Sequence, residues 1–432
     1  MTRIWNKFIP LDKKLSNGTS KQFHPVRNSR LSNGAGAPLK PHTSSLPQYH
    51  SKAGYGAQRG RRKVFVAMSG GVDSSVAALL LQKSGFDLVG CYIKGWYPPG
   101  VICSWKEDRR DAMRVCAKLG IPFITIDAEK EYKKEVADYM ISEYKAGRTP
   151  NPDIMCNKSV KFGVFLKKAI ELGADYIATG HYARLEREFL ISNFKFLNKK
   201  RKNFENCKLK IARDLNKDQS YFLWTLTQEQ LKYCLFPIGG LLKLEVRHIA
   251  KKNGLATAEK EESQGVCFIG EFNMEDFLKK YIKQKKGEVV TADGKIIGEH
   301  NGLAFYTIGQ RHGFGFGGGE GGPYYIVEKD FKNNRLIVAE KKDEKSFSRK
   351  EVVIKNTNWI SAVPKIGKKY QARIRYRQPL EECEVAEISI RQLADSTKII
   401  FKNPQRAITP GQSLVIYDGE EMIGGGVIQS KK

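Results

Sequence analysis

Lys63-Val-Phe-Val-Ala-Met-Ser-Gly-Gly-Val-Asp-Ser-Ser-Val-Ala-Ala-Leu-Leu-Leu81 is the stretch on which the fold turns. Its apolar run over 63–68 reads as a strand buried on both faces, Gly70-Gly71 as a turn, and 73–84 as a helix. The same alternation continues outward. Strands are expected over 86–93, 122–126 and 175–179, with helices from about 107 to 119, 130 to 144 and 158 to 172. Strands alternating with helices pair in parallel through right-handed crossovers, which predicts a doubly wound α/β domain with its site at the strand C-termini. A helical section is expected from 220 to about 254. After Gly287 the chain changes to short β-like runs (302–308, 324–327, 335–339, 370–377, 398–401 and 413–417), which suggest a small antiparallel β-barrel or barrels.

The chain has 432 residues, enough for two or three domains at roughly 100–200 residues each. Hydrophobic residues make up 41%, but no apolar run reaches the ~18 residues of a membrane span, so no membrane partner is expected. Lys and Arg number 74 against 46 Asp and Glu, and the net charge of +28 favours a polyanionic partner such as nucleic acid. Residues 1–63 carry 13 of those bases and a single acid, Asp12. With its Ser, Asn, Gly and Pro and no apolar h-region, this segment reads as an organellar, mitochondrial-type presequence or as a disordered basic arm touching nucleic acid. The basic insertion between Arg187 and Arg213, with Lys199-Lys-Arg-Lys202 at its centre, reads as a hairpin with a solvated tip or a phosphate contact. Eight cysteines stand at 91, 103, 116, 156, 207, 234, 267 and 383 without a C-x-x-C pair, which disfavours a zinc ribbon or a disulfide scaffold, and no metal site is expected.

Three motifs carry chemistry. Ser69-Gly-Gly-Val-Asp-Ser-Ser75 joins a strand to a helix, where close backbone approach, free N–H groups and hydroxyls make a phosphate cradle; the Gly-Lys-Ser/Thr ending of a Walker A loop is absent. Gly147-Arg-Thr-Pro-Asn-Pro-Asp-Ile-Met-Cys-Asn-Lys158 is stiffened by two prolines and sets Cys156 just before a helix, where the helix N-terminus, Lys158 and Lys161 favour thiolate, with Asp153 near enough to move a proton. Glu262-Ser-Gln-Gly-Val-Cys-Phe-Ile-Gly270 places Cys267 in a short apolar run, where taken alone it reads as a core cysteine.

The first loop resembles the pyrophosphate-binding loop of the PP-loop ATPases, which adenylylate a substrate oxygen; there Asp73 acts with Mg²⁺ rather than with a lysine. From Lys63 to the end the chain resembles the tRNA-specific 2-thiouridylases, in their organellar form. The motifs are Ala67 to Ser75, Gly147 to Asn157, Ala178-Thr-Gly-His-Tyr182, Lys217-Asp-Gln-Ser-Tyr-Phe-Leu-Trp224, Gly265-Val-Cys-Phe-Ile-Gly270, Thr307-Ile-Gly-Gln-Arg311, Arg375-Tyr-Arg-Gln378 and Thr409-Pro-Gly-Gln412. The chain departs from the family pattern in its N-terminal segment, in the basic insertion, and at Trp224 and Gln264.

The resemblance implies an ATP-dependent tRNA-uridine 2-sulfurtransferase, in which ATP with Mg²⁺ adenylylates the carbon-2 oxygen of the wobble uridine and sulfur then displaces AMP. It implies that Cys267 carries a persulfide received from a cysteine-desulfurase relay. Cys156 attacks that persulfide and forms a transient disulfide with Cys267, and Asp153 is the acid/base residue. By the same likeness Ala67, Met68, Ser69, Gly70, Gly71, Val72, Asp73, Ser74, Ile93 and Gly180 hold ATP. Asn151, Pro152 and Asp153 face the flipped-out base, His181 lies at the RNA entrance, and Lys217, Asp218, Gln219, Arg375, Tyr376 and Gln412 contact the tRNA. The expected organisation is the presequence or arm (1–62), a PP-loop (adenine nucleotide α hydrolase-like) catalytic domain (63–233, with 256–274 folding back onto it), a small helical or mixed tRNA-binding region (234–345) and a C-terminal antiparallel β-barrel (346–432). Localisation is expected in the mitochondrial matrix, with the cytoplasm as the alternative. Other readings are an amide-forming ligase with the same loop, for which no glutaminase is recognisable, and a non-catalytic tRNA-binding protein. An iron–sulfur centre on Cys156, Cys267 and Asp153 is a lesser alternative.

Overall fold

The computed structural model describes residues 61–98, 105–190, 204–261, 273–311, 323–341, 343, 347–389 and 395–430. The basic segment 1–60, the Lys199–Lys202 tip and the motif with Cys267 lie outside the described residues. The first unit runs β1 (Lys63–Ala67), α1 (Val72–Lys83), β2 (Asp87–Lys94), α2 (Trp105–Leu119), β3 (Phe123–Asp127), α3 (129–145), α4 (152–171) and β4 (Tyr176–Ala178). A hairpin follows, β5 (Arg184–Leu190) and β6 (Phe204–Lys210), then α5 (Gln228–Leu231), β7 (Cys234–Leu235) and α6 (Lys243–Lys252).

Strands β3-β2-β1-β4-β7 form one parallel sheet in that order. Alternation along β1 sorts its side chains onto two faces. Phe65 enters one core with Ile93, Cys156 and Ile177, whereas Val64 and Val66 enter another with Val76, Val115 and Val246. Burial on both faces explains why β1 is apolar throughout rather than alternating. α1 is likewise buried at eight of its twelve positions, which is how Ala-Ala-Leu-Leu-Leu is tolerated in a helix.

Several boundaries differ from the sequence expectation. β7 completes the parallel sheet and α6 packs on α1, so the α/β unit continues past residue 233. The section 220–254 is a short 3₁₀ turn (Ser220–Leu223), two helices and a strand, broken by Pro237 and Gly239-Gly240. The basic insertion does form a hairpin, with seven paired positions from Arg184↔Lys210 to Leu190↔Phe204.

Beyond α7 (Met274–Lys279), the central region is mainly strand: β8 (Gly287–Thr291), β9 (Ile296–His300), β10 (Tyr324–Asp330) and β11 (Arg335–Glu340), in the order β10-β11-β8-β9 with β11 and β8 parallel. Residues 302–308 are not a strand. A turn at Leu303–Phe305 brings Leu303 and Tyr306 to one side, both into a core with Val289, Ile326 and Leu336. The C-terminal part, β12 (Arg349–Trp359), β13 (Lys369–Arg373), β14 (Glu381–Ser389), β15 (Ser396–Gln405), β16 (Ser413–Asp418) and β17 (Glu421–Ile428), closes as a six-stranded antiparallel barrel through β12–β17 pairing. The β5–β6 hairpin adds to its edge through Glu421↔Lys210 and an Arg184–Glu420 ion pair.

Candidate active site

The strand order reverses between β1 and β4, and that crevice is where an open parallel sheet binds ligands. The β1 exit is Ser69–Ser75. Gly70 has φ +76°, and a Cβ there would lie 2.2 Å from the Asp108 carbonyl oxygen, so only glycine lets the loop sit against the first turn of α2. Gly71 offers no side-chain cap, which leaves the first-turn N–H groups of α1 available to an anion. The hydroxyls brace the loop: Ser74 Oγ donates to the Gly71 carbonyl at 3.1 Å and lies 3.2 Å from Ser69 Oγ, and Ser75 Oγ donates to the same carbonyl at 2.8 Å. Thr257 Oγ1 donates to Ser75 Oγ at 2.9 Å, tying the chain that leads toward Cys267 to the foot of the loop. The β4 exit closes the crevice, with Gly180 against the Asp73–Ser74 backbone.

Asp73 does not stand apart from a lysine, as the sequence suggested. Its carboxylate accepts two bonds from Lys243 Nζ, at 2.7 and 2.9 Å, and a third from the Tyr182 hydroxyl at 2.8 Å. Among the described residues no group of three or more His, Cys, Asp or Glu converges to hold a metal. Met68 and Ile93 are buried, and Ile93 packs into the core with Ile126 and Tyr132.

Asn151 caps α4 by accepting from the Ile154 N–H at 3.3 Å, Pro152 takes the first helical position, and Asp153 lies half-buried in the first turn. Cys156 is thus in the second turn of α4, not ahead of it, where the helix-terminus field has largely faded. It is fully buried and starts a wider π-turn, Cys156–Val164. Phe162 on that turn lies 5.8 Å from the His181 ring. His181 is buried, its Nδ1 is 2.7 Å from Thr179 Oγ1, and burial followed by the nearby Lys161 charge pushes its pKa well below the ordinary imidazole value. A neutral ring stands at this position, so it cannot attract phosphate as a cation.

The 147–157 loop is held by all three parts of the chain. Gln412 Nε2 donates to the Thr149 and Pro150 carbonyls, the Thr149 N–H donates to the Pro410 carbonyl, and Thr149 and Thr307 share a hydroxyl contact of 3.1 Å. Lys329, half-buried, donates from Nζ to the Gly147 carbonyl at 3.1 Å, and burial pushes its pKa down to about 7.

Of the residues assigned to tRNA, Lys217 and Gln219 are half-buried, and Gln219 Oε1 accepts from the Tyr182 N–H. The side chains of Asp218, Arg375 and Gln412 are buried and bonded within the protein. Asp218 accepts from Arg373, Ser220 and the Ala212 N–H, and Arg375 donates to the carbonyls of Ile308 and Ala407 and to Thr409. Tyr376 is half-buried, 4.5 Å from the Phe222 ring, with the exposed Arg377 guanidinium 5.2 Å from its own ring. Asn157, next to Cys156, donates to the Phe222 carbonyl, so this aromatic platform adjoins the cysteine. Lys243, Lys329 and Arg377 escaped sequence reasoning because each lies outside a glycine- or cysteine-bearing motif or beside a better-known neighbour.

Family models match in three consecutive pieces: one described as a tRNA methyl transferase HUP domain over residues 62–271, one as a tRNA methyl transferase PRC-barrel domain over 275–340, and one as an aminomethyltransferase beta-barrel domain over 349–428. The tRNA-specific 2-thiouridylase MnmA 2 of Geobacillus kaustophilus is 46% identical over 370 residues, covering 85% of this chain and 94% of its own. The tRNA-specific 2-thiouridylase MnmA of Streptococcus thermophilus is 44% identical over 376 residues, covering 85% and 95%. Aligned along nearly the whole length of such relatives, with a PP-loop-like parallel sheet and a closed C-terminal barrel in the expected order, the chain belongs to the tRNA-specific 2-thiouridylase family.

Proposed function

We propose that the protein is an ATP-dependent tRNA-uridine 2-sulfurtransferase acting on the wobble uridine. One observation carries the reading: the phosphate-type loop and the helix with Asp153 and Cys156 meet at the same strand ends, joined through Gly180-His181-Tyr182. The relatives' names supply tRNA and the 2-thio product.

In this reading, Ala67 to Ser74, Ile93 and Gly180 receive ATP, and Mg²⁺ would supply charge neutralisation at its phosphates. The uridine carbon-2 oxygen attacks the α-phosphorus, the bond to pyrophosphate breaks, and a poor leaving group becomes AMP. Cys156 thiolate attacks the inner sulfur of a persulfide on Cys267, giving a Cys156–Cys267 disulfide and hydrosulfide; the terminal sulfur is reduced as the two thiols are oxidised. Hydrosulfide adds at carbon 2 and AMP departs, with Asp153 placed to handle the proton. A persulfide from a cysteine-desulfurase relay then reloads Cys267 after a thiol reduces the disulfide. Residues 1–62, basic and nearly free of acids, direct the chain to the mitochondrial matrix.

The test is incubation of the full chain with ATP, Mg²⁺, a persulfide donor and unmodified tRNA, followed by nucleoside mass spectrometry and AMP assay. One sulfur-for-oxygen exchange with AMP formed is expected. AMP without thiolated nucleoside would overturn the sulfur scheme, and neither product would overturn the reading. Fusion of residues 1–62 to a fluorescent reporter tests the destination, and a diffuse cytoplasmic signal would refute it.

A further inference from the structure

Resting on the activity proposed above, we infer that Lys243 is the counter-ion that makes the Ser69–Ser75 loop hospitable to a triphosphate, by cancelling Asp73. The loop contains no cation, and α1 has none before Lys83, whereas Asp73 sets a carboxylate, 32% exposed, inside the phosphate cradle. An uncompensated carboxylate there repels the ligand that the backbone is shaped to hold. The compensating charge comes from 170 residues downstream.

Lys243 is delivered rigidly. It is the first residue of α6, its backbone N–H is anchored on Asp214 Oδ2 at 2.9 Å, and Val246 and Ala250 one and two turns on pack in the core that holds Val76 of α1. Its side chain is only 11% exposed, its amine lies 5.7 Å from the Tyr182 ring centre, and the Tyr182 hydroxyl completes the hold on Asp73. A half-buried ion pair is a weak source of stability, so its placement at the loop, rather than any gain in folding, is the feature that needs a reason. Tyr182 is in turn bonded through its N–H to Gln219, so the ion pair also stands at the end of a contact line from the Lys217-Asp-Gln219 segment.

The experiment is calorimetric titration of ATP with Mg²⁺ into the full chain without tRNA, for wild type, Lys243→Gln, Asp73→Asn and the double variant. Lys243→Gln is expected to weaken ATP binding by about 10- to 100-fold, or about 1.4–2.8 kcal/mol at tenfold per ~1.4 kcal/mol. The double variant should recover most of that loss relative to Lys243→Gln, because the repelling carboxylate leaves with its partner. A purely structural pair would lower the melting temperature in the single variants but give no such recovery in affinity. Unchanged ATP affinity in Lys243→Gln or no recovery in the double variant overturns the inference. If Lys243→Gln does not fold, the double variant is compared with Asp73→Asn, where removing Lys243 should cost less than about 3-fold, and a loss of about 10-fold or more overturns the inference. Wild type that forms AMP and thiolated nucleoside while these variants misbehave leaves the proposed activity standing, whereas wild type that binds no ATP removes the activity itself.

Discussion

Replacing Gly180 with alanine should disable ATP use while sparing the rest of the protein. A Cβ at this position would lie 2.7 Å from the Ser74 nitrogen, 2.8 Å from the Asp73 carbonyl carbon and 3.1 Å from the Asp73 Cβ. Ordinary contact begins near 3.4 Å, so the β4 exit and the loop must part by about 0.7 Å. The two nearest atoms are backbone, and no rotamer change relieves them. Gly180 is not among the glycines with positive φ, so the effect is steric and not conformational. Overpacking of this kind costs roughly 1–3 kcal/mol, which lowers the melting temperature by about 2–4 °C per kcal/mol in a unit of this size. The displaced atom is a first-turn N–H of the phosphate cradle, and a shift approaching 1 Å at a positioning group can cost ~10²-fold in rate. Pyrophosphate release at low ATP should therefore fall by about two orders of magnitude, while filter retention of tRNA stays at the wild-type level. Wild-type pyrophosphate release from a folded Gly180→Ala variant would refute the reasoning.

Cys156→Ser and Cys267→Ser should each abolish thiolated nucleoside while AMP formation and tRNA binding persist; thiolation by either purified variant would sink the two-cysteine scheme. Asp218→Asn leaves Arg373 buried without its ionised partner, the two side chains being 1% and 7% exposed, and should cost about 3–5 kcal/mol in denaturant unfolding. Lys329 is pushed down from 10.5 to about 7, so the folded state bears the full penalty of its charge below pH 7 and none once the unfolded chain is also neutral. Wild type should therefore gain stability relative to Lys329→Met as pH rises from 7 to 10.5, and parallel melting curves across that window would contradict the lowered pKa.

The parallel sheet was legible because its strands are short apolar runs bounded by glycine or proline and its helices keep their period. The ATP loop was legible because a strand-to-helix switch with Gly70-Gly71 has few alternative uses. Legibility failed where tertiary contacts decide. β7 is two residues long and earns its place by pairing with Ile177 and Ala178, which no local pattern announces. α4 begins at Pro152 because Asn151 caps it, whereas the two prolines read as an extended loop. β8, β9, β12, β14 and β17 lie outside the expected runs: β8 and β9 are only five residues long, charged residues crowd β12 and β14, and glycine interrupts β17, masking apolar inward positions such as Val352, Val385 and Ile428. Polar motif residues were found by the resemblance, but whether each faces solvent or the interior depends on partners such as Arg373 for Asp218 and the Pro150 carbonyl for Gln412. Lys243 had no signal at all, since an ion pair across 170 residues leaves no spacing to read.

The grip of Gln412 and Pro410 on Thr149 and Pro150 has a consequence for biosynthesis. Gln412 follows Pro150 by 262 residues, so the loop beside Cys156 stays unclasped until the strands that carry Gln412 have been made and the barrel has closed. The core around Val64, Val66 and Val76, on which the nucleotide loop rests, is complete by residue 258, whereas the core that holds Cys156 also takes in Ile360, Val415, Tyr417 and Met422 from the C-terminal part. A chain stalled or clipped anywhere in the barrel would thus present a folded nucleotide loop beside an unclasped cysteine loop, able to occupy ATP without finishing the reaction. The cysteine loop is therefore the part of the site set last, because its clasp is carried by the barrel.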